Sequence, residues 1–297
     1  MKISVIQKIA ASAIISLGAI ATSLPAQAGT LINGWNYARD DYSYDGVDGS
    51  NLSATSKYDI YGIGIKQVDN YIYVGINTST PLTGVAASSA ADGNVGWGDL
   101  FLDFNYGNIN NSFLSAQGSM IGIRFAATND SGAPTTGVYK NVTAKSVTAE
   151  NSGFANLNDY KNSTSTKGAR IGDLSVNDAY YAPYASVRVP NVIGASSPKI
   201  GNVTALSAND LLDLPSLNSS LAGDNSSKFG FKFERPDGFS GNFLGSLFLE
   251  CFNDSVAIQG NIKPVPVPPA IAGILAAGAF GGWRAAKRKK QLKAVAA

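Results

Sequence analysis

The chain has 297 residues, with 23 Lys and Arg against 21 Asp and Glu and a formal net charge of +2. It contains no histidine, which excludes Ser-His-Asp and Cys-His nucleophile systems and the usual zinc sites. Its single cysteine excludes an intramolecular disulfide, so packing alone must hold the fold together.

The first 28 residues have the pattern of a cleavable secretion signal. Two lysines precede an apolar run at residues 9–24, and Ala26 and Ala28 place small side chains at the −3 and −1 positions. This pattern predicts a signal helix at residues 1–28 that signal peptidase removes after Ala28. We therefore expect an exported chain.

Residues 29–262 are predicted to form one extracytoplasmic all-β domain, because apolar runs alternate with clusters of Gly, Asn, Ser and Asp. Residues 58–66 and 71–77 predict a hairpin across Asp69 and Asn70, whose side chains tolerate positive φ. No helix alternates regularly with the strands, so the sequence favours an antiparallel β-sandwich, jelly-roll-like, with long loops. Further strands are predicted at residues 31–37, 100–105, 120–127, 137–147, 199–206, 229–233, 243–252 and 255–260.

Helical signals are few in this domain. Ser207 is a predicted cap for a helix at residues 208–214, and residues 156–161 predict a single turn. The Asn-, Ser- and Tyr-rich region at residues 150–198 is predicted to form long surface loops. Cys251 lies in an apolar run without a basic neighbour, which predicts a buried and unreactive thiol.

The domain is acidic, although the whole chain is slightly basic. Two of the 23 cationic residues lie before residue 29 and six lie after residue 283, which leaves 15 against 21 acidic residues and a charge near −6. An acidic surface does not attract phosphate backbones. We therefore expect no nucleic-acid binding.

Oxygen-bearing side chains are concentrated in two loops that contain glycine, residues 40–48 and 92–99, and Asn129 and Asp130 of a third loop could join the second. Calcium takes six to eight oxygen ligands and requires neither His nor Cys. Asp92, Asn94 and Asp99, joined by Asp130 from another loop, are therefore candidate donors for Ca²⁺. Ordinary Asx turns would account for the same residues without a metal.

Aromatic residues beside Asn and Asp are candidates for sugar binding, since flat rings stack on sugar faces while the polar neighbours bind hydroxyls. The candidates are Trp35 and Trp97, with the loop tyrosines Tyr42, Tyr44, Tyr180, Tyr181 and Tyr184. Tyrosines also pack at the rims of sandwiches with the hydroxyl in water, which is the structural alternative.

Asp99 and Asp103 lie on one predicted strand with the same side-chain parity, so both could face a common cleft. Two converging carboxyls are what a glycoside hydrolase requires. The simpler interpretation places both on the solvent face of a half-exposed strand.

The last 35 residues divide into three parts. Residues 263–269 contain four prolines, residues 270–283 carry no charge, and residues 284–297 contain six Lys or Arg. The uncharged run is shorter than the roughly 20 residues of a typical membrane span. The basic residues directly after it favour the cytoplasmic side. This pattern predicts a Pro-rich stem, a short transmembrane helix and a basic cytoplasmic tail, with an ordinary buried helix as the alternative.

This tripartite tail resembles the PEP-CTERM sorting signal, which exosortase processes. Val265, Pro266, Val267 and Pro268 occupy the place of the usual Val-Pro-Glu-Pro, and Val267 stands where the glutamate would be. The resemblance implies a precursor held transiently in the inner membrane by its C-terminal helix and then transferred to the cell surface or beyond.

Segments of the domain are similar to those of cyanobacterial exosortase-dependent surface proteins. They are GWNYA at residues 34–38, DGNVGWGDLF at 92–101, TNDSG at 128–132, NVTAKSV at 141–147 and ECFND at 250–254. That family is defined by sorting, so the resemblance implies a surface or extracellular-matrix protein without naming a reaction. We expect a non-catalytic protein with extracellular polysaccharide as its candidate partner; the alternative is a carboxylate-dependent glycoside hydrolase acting on that polysaccharide.

Overall fold

A computed structural model describes residues 29–40, 46–48, 51–52, 56–108, 110–164, 170–215 and 227–264. The predicted signal with Ala26 and Ala28, and the tail with its Val265–Pro268 motif, lie outside these residues. Within the described ranges, no helix combines the length and the apolar character that a membrane crossing requires.

The described chain is built mainly from antiparallel strands, as the sequence predicts. In chain order the strands are β1 (Thr30–Ile32), β2 (Trp35–Arg39), β3 (Val47–Asp48), β4 (Asn51–Leu52), β5 (Ile60–Val68), β6 (Tyr71–Thr78), β7 (Val85–Ala86), β8 (Asn94–Val95), β9 (Leu100–Asp103), β10 (Met120–Arg124), β11 (Gly137–Val142), β12 (Ala144–Lys145), β13 (Arg170–Ile171), β14 (Leu174–Ser175), β15 (Val192–Ile193), β16 (Lys199–Gly201), β17 (Val203–Ala205), β18 (Ser227–Glu234), β19 (Gly241–Phe248) and β20 (Ser255–Ile262). Helical structure comprises α1 (Leu157–Thr164) and two 3₁₀ turns at Ala182–Tyr184 and Asn209–Leu211.

Two six-stranded sheets form the centre of the fold. The first has the order β1-β2-β5-β6-β18-β17 and the second β16-β11-β10-β9-β19-β20. The predicted hairpin is confirmed, since β5 and β6 pair from Val68 opposite Tyr71 onward and Asp69 has a φ of 51°. The predicted strand at residues 199–206 instead divides at Asn202, so that β16 borders the second sheet and β17 borders the first.

The main core cluster draws on both sheets. Ile72, Val74 and Ile76 alternate along β6 and are fully buried, as are Leu100 and Leu102 on β9. A period of two places alternate side chains on one face of a strand. The apolar faces of the two sheets are therefore the ones that form this cluster.

A second core covers the opposite face of the second sheet, and it corrects the prediction of surface loops at residues 150–198. Tyr160 of α1 and Tyr181 are buried with Phe101 of β9 and Phe248 of β19. Tyr181 contacts Phe248 and Phe101 contacts Phe113 edge-on, while Tyr160 contacts Phe252 at a tilt, arrangements that aromatic quadrupoles favour. The region escaped detection because its apolar residues are scattered among polar ones and follow no strand or helix period.

A third, smaller cluster lies on the outer face of the first sheet, over a row of glycines. Three glycines stand opposite one another on β5, β6 and β18, namely Gly64, Gly75 and Gly230. Leu211 and Leu214 lie against this row, since a Cβ on Gly75 would be only 2.8 Å from Leu214 Cδ2 and 3.1 Å from Leu211 Cδ2. Because these glycines have no side chains, residues 207–214, called the covering segment below, can pack close to the sheet.

The covering segment begins with a reciprocal pair of hydrogen bonds. Ser207 donates its N–H to Asp210 Oδ2 at 2.9 Å, and Asp210 donates its N–H to Ser207 Oγ at 3.4 Å. The N-cap of the 3₁₀ turn Asn209–Leu211 is nevertheless Ala208, without a side-chain cap, so Ser207 is not its cap and no helix spans residues 208–214.

Cys251 is buried, as predicted, and burial raises the pKa of its thiol to about 12. A thiol with so little thiolate is a poor nucleophile. Packing is therefore the role that the structure supports for this side chain.

Candidate functional site

Loops from distant parts of the sequence meet beyond one end of β9 and β19; we name this place the loop junction. Backbone hydrogen bonds join Asp99 N to Asn191 O at 2.9 Å and Gly132 N to Ile193 O at 2.7 Å. Glu250 N donates to Gly96 O at 3.0 Å. The segments 92–101, 128–132, 141–147 and 250–254, which carry the resemblance noted above, all contribute to this junction or border it.

Asp99 is the buried centre of the junction, with 0% of its surface exposed. Its Oδ1 accepts a hydrogen bond from Asn129 Nδ2 at 2.8 Å, and its Oδ2 accepts from Ser131 Oγ at 2.6 Å and Ile193 N at 2.7 Å. Burial raises the pKa of Asp99 to about 6, although these three donors and Arg124 lower it. The carboxylate thus joins β9 to the loops at residues 129–133 and 191–194.

Glu250 is the second buried carboxyl group of the junction. Its Oε1 accepts a hydrogen bond from Asp130 N, and its Oε2 accepts from Gly96 N at 2.6 Å. Burial raises the pKa of Glu250 to about 8, and the negative charges of Asp130 and Asp92 raise it further against the lowering effect of the two N–H donors. Negative charge is therefore costly at this position.

Two buried asparagines complete the junction. Asn191 donates to Leu249 O at 3.1 Å and Glu250 O at 2.7 Å, and its Oδ1 accepts from Val147 N at 3.0 Å. Asn151 donates to Asp130 Oδ2 at 2.9 Å and to Val147 O at 3.0 Å. Both the Nδ2 and the Oδ1 atoms of Asn191 are therefore hydrogen-bonded. The Oδ1 atom of Asn151 is buried and has no hydrogen-bond donor in the described part of the chain.

The predicted calcium donors do not converge as a ligand set. Asp92 Oδ1 accepts from Asn94 N at 2.9 Å in an Asx turn, the metal-free alternative that the sequence leaves open. Across the described ranges, no three Asp, Glu or Cys side chains assemble as metal ligands. Of the four predicted donors, Asp130 borders the unpaired amide oxygen of Asn151, and Asp99 accepts from Asn129, whose own amide oxygen is also unpaired.

The candidate catalytic pair is buried as well. Asp103 is 1% exposed, and its Oδ2 accepts from Tyr180 OH at 2.9 Å and Asn111 Nδ2 at 2.7 Å. Only Asp103 belongs to β9, since Asp99 directly precedes the strand, and both carboxyl groups are covered rather than open to a cleft.

Trp35 and Trp97 are wrong as sugar-binding residues, because both rings are 0% exposed. Trp97 packs edge-on against Phe229 and donates its indole N–H to Pro81 O at 2.9 Å. Among the loop tyrosines, Tyr180, Tyr181 and Tyr184 are buried in the second core, and Tyr42 and Tyr44 lie outside the described residues.

Two grooves open on the described surface. The junction groove, of about 450 Å³, lies beside the loop junction and includes Ser89, Asn151 and Ser152 in its lining. The tyrosine groove, of about 550 Å³, lies where the edge strands β16 and β17 approach the end of β18. Its lining includes Asn70, Tyr71, Thr204, Lys232, Glu234 and Asp237.

The tyrosine groove combines an open ring with fixed polar groups. Tyr71 is 44% exposed, and its neighbour across the strands is Glu234, which accepts from Asn70 Nδ2 at 2.9 Å. Lys232 Nζ lies 5.8 Å from the centroid of the Tyr71 ring and 5.2 Å from that of Tyr73. The ring is thus flanked by donors and acceptors of both charges.

Sequence reasoning missed Tyr71, Glu250 and Asn151 as site residues. Tyr71 and Tyr73 alternate on one strand face, a signal that a search for aromatic residues on strands would have found. The importance of Glu250 and Asn151 depends on partners 120 and 21 residues away, and no local pattern carries that information.

No known protein family, no curated protein and no solved structure matches this chain.

Proposed function

We propose that this chain is an exported, exosortase-sorted protein of the cell surface or extracellular matrix, whose jelly-roll-like β-sandwich binds extracellular polysaccharide and performs no catalysis. Signal peptidase and exosortase would process its two ends. The C-terminal helix would hold the precursor in the inner membrane until the second cleavage.

The exported location is supported by the two terminal patterns. A basic start, an apolar run and small residues at Ala26 and Ala28 are what signal peptidase recognises. The stem of four prolines, the uncharged run and the six basic residues after it have the composition of a sorting tail. Secretion followed by sorting in the membrane accounts for both terminal patterns together.

Polysaccharide binding is supported chiefly by the tyrosine groove. A sugar ring presents C–H groups on its face and hydroxyls around its rim, so it is complementary to an aromatic ring surrounded by polar side chains. Tyr71 supplies such a ring, and Lys232, Glu234 and Asn70 supply donors and acceptors beside it. The absence of catalysis accords with the burial of Asp99 and Asp103.

The test is retention of the purified full chain, in mild detergent, on a panel of neutral and acidic polysaccharides. We expect Tyr71→Ala to weaken binding at least tenfold and Tyr71→Phe, which keeps the ring, to retain most of it. Because Tyr71 is largely exposed, neither variant should change the melting temperature much. Leu114→Ala, at a site 54% exposed on another loop, is the matched surface control.

Retention that is equal for the wild type and Tyr71→Ala would place binding elsewhere, and retention on no polysaccharide would refute the binding role. New reducing ends would refute the absence of catalysis. If Asp99→Asn or Asp103→Asn abolished them, the glycoside hydrolase alternative would replace our proposal.

A further inference from the structure

Two carboxylates meet at the loop junction. Glu250 accepts a hydrogen bond from the backbone of Asp130, so the two residues are in direct contact. The negative charges of Asp130 and Asp92 both oppose the ionisation of Glu250. Arg124 lies nearby, but it donates to the carbonyls of Ala126, Ala127, Ala133 and Asn129.

A second, independent observation points to a ligand between these groups. Asn151 is 2% exposed, and its Oδ1 has no hydrogen-bond donor among the described residues. Asn151 Nδ2 contacts Asp130 Oδ2 at 2.9 Å. Because Oδ1 is bonded to the same carbon as Nδ2, the Asn151 oxygen also lies beside the Asp130 carboxylate. Asn129, the preceding residue, is 6% exposed and likewise has a buried Oδ1 without a donor.

A buried oxygen without a donor is rare, because it forfeits the hydrogen bond that it made with water. The amide of Asn129 donates to Asp99 at 2.8 Å, so its oxygen lies near that group, whereas the Asn151 oxygen lies beside the Asp130 carboxylate. An unpaired oxygen beside a carboxylate favours a hydrogen-bond donor or a cation between them. The candidates are a proton on a carboxyl group, an ordered water and a metal cation. Carboxylate and amide oxygens are the ligands of a hard cation, and Ca²⁺ accepts them in irregular geometry.

We propose that Glu250, Asp130 and Asn151 bind a calcium ion. Asp130 is among the donors predicted from the sequence, whereas Glu250 and Asn151 are not. The ion would neutralise the carboxylates and coordinate the unpaired oxygen of Asn151, and so would tie the loops at residues 129–133, 147–153 and 249–254 together.

The junction groove supplies a route for the ion. Asn151 lines this groove of about 450 Å³ together with Ser89 and Ser152, and Ser152 Oγ donates to Ser89 O at 2.6 Å. The proposal does not rest on polysaccharide binding, since the tyrosine groove is lined by other residues.

The test is calorimetric titration of the chelator-treated full chain with CaCl₂ and MgCl₂, together with thermal unfolding in calcium and in chelator. We expect one calcium per chain and a melting temperature that is roughly 5 °C or more higher at a hundredfold excess over Kd. Glu250→Gln and Asp130→Asn should each weaken calcium binding at least tenfold. Asp69→Asn, at an exposed aspartate in the turn between β5 and β6, should bind like the wild type.

Asn151→Asp replaces the amide that donates to Asp130 and to Val147 O with a third carboxylate, so this variant should bind calcium more tightly and lose more stability in chelator than the wild type. It serves if Glu250→Gln fails to fold. The proposal is overturned if the wild type takes up no calcium and melts alike in both solutions, which would leave a proton or a water between the groups. It is also overturned if calcium binds equally well to Glu250→Gln and Asp130→Asn.

Discussion

Several carboxylates of this protein hold distant backbone segments in place. Each accepts an N–H from far along the sequence: Asp40 from Gly172, Asp99 from Ile193, Asp173 from Gln259, Glu250 from Gly96 and Asp254 from Ile60. A carboxyl oxygen accepts such a bond in either protonation state, and more strongly when the group is ionised. These buried carboxyl groups therefore have a structural role beyond local turns such as the Asx turn of Asp92.

Asp173 allows this role to be tested through pH. Burial raises its pKa from 3.8 to about 6, while the Gln259 N–H and the charge of Arg170 lower it. Between these two values the folded protein keeps a proton that the unfolded chain has lost, so stability falls as the pH rises from about 4 to 6. Asp173→Asn keeps an oxygen for Gln259 and should remove that loss, making the variant more stable at pH 7 by an amount on the order of 2 kcal/mol.

The measurement is chemical unfolding of both proteins from pH 4 to pH 8. Asp237→Asn, at an exposed aspartate after β18, provides the control and should keep the wild-type pH dependence. An Asp173→Asn variant whose stability falls in parallel with the wild type would show that Asp173 is not the titrating group.

At the scale of elements, the glycine row is the feature that decides how the first sheet is covered. Gly64, Gly75 and Gly230 leave a shallow trough across three strands, and the side chains of Leu211 and Leu214 pack into it. Glycine ordinarily weakens a strand, because it has no side chain to pack. Here that loss is offset by burial of two leucines from the covering segment.

Gly75→Ala should destabilise the protein by about 1–3 kcal/mol, because the new methyl group would overlap the ends of Leu211 and Leu214. Combining it with Leu214→Ala should cost less than the sum of the two single changes, since the contact is then already absent. Denaturant unfolding of the three variants measures this coupling.

Gly201→Ala is the matched control for this experiment. Its added Cβ would meet Val138 at 3.5 Å, an ordinary contact, so its stability should stay within about 0.5 kcal/mol of the wild type. Strict additivity of Gly75→Ala and Leu214→Ala would show that the trough does not position Leu214.

The elements also show how far the sequence could be interpreted. The β5-β6 hairpin was predictable, because Asp69 and Asn70 interrupt two alternating runs that pair with each other. The covering layer at residues 150–198 was not, because its tyrosines face a sheet formed by strands from other parts of the chain. The same holds for the loop junction. Asp99 and Asp130 were predictable as a polar cluster, but their hydrogen-bond partners could not be predicted from nearby residues.

As a whole molecule, the described region has three apolar clusters, distributed between the sheets and on the outer face of each. The sole cysteine is buried and free, so no covalent bond stabilises this packing. Each face of each sheet is therefore at least partly covered, and burial of apolar surface between these layers is the main stabilising contribution.

Deleting residues 270–297 should change where the protein resides rather than whether it folds, because the described core ends with β20 at Ile262. We expect the truncated precursor to be soluble outside the inner membrane and the full-length precursor to remain membrane-associated. Cell fractionation with antibody detection measures this difference. A variant in which six serines replace the basic residues after residue 283 tests orientation separately from membrane residence.

Equal distribution of the truncated and full-length precursors between membrane and soluble fractions would refute a membrane role for the tail. Aggregation of the truncated form would be distinguished from membrane association by flotation in a density gradient, since only lipid-bound protein rises.

The position of β20 at the end of the core has a consequence for the time course of folding. Its Val256 and Ile258 enter the main cluster, and the strand packs against β2 and β5, about 200 residues earlier in the chain. A core that depends on such distant contacts closes late and slowly. During export, the chain therefore cannot complete its fold before nearly all of the domain has crossed the membrane. A C-terminal tether that delays release would give β20 time to pair with β19 and pack against β2 and β5.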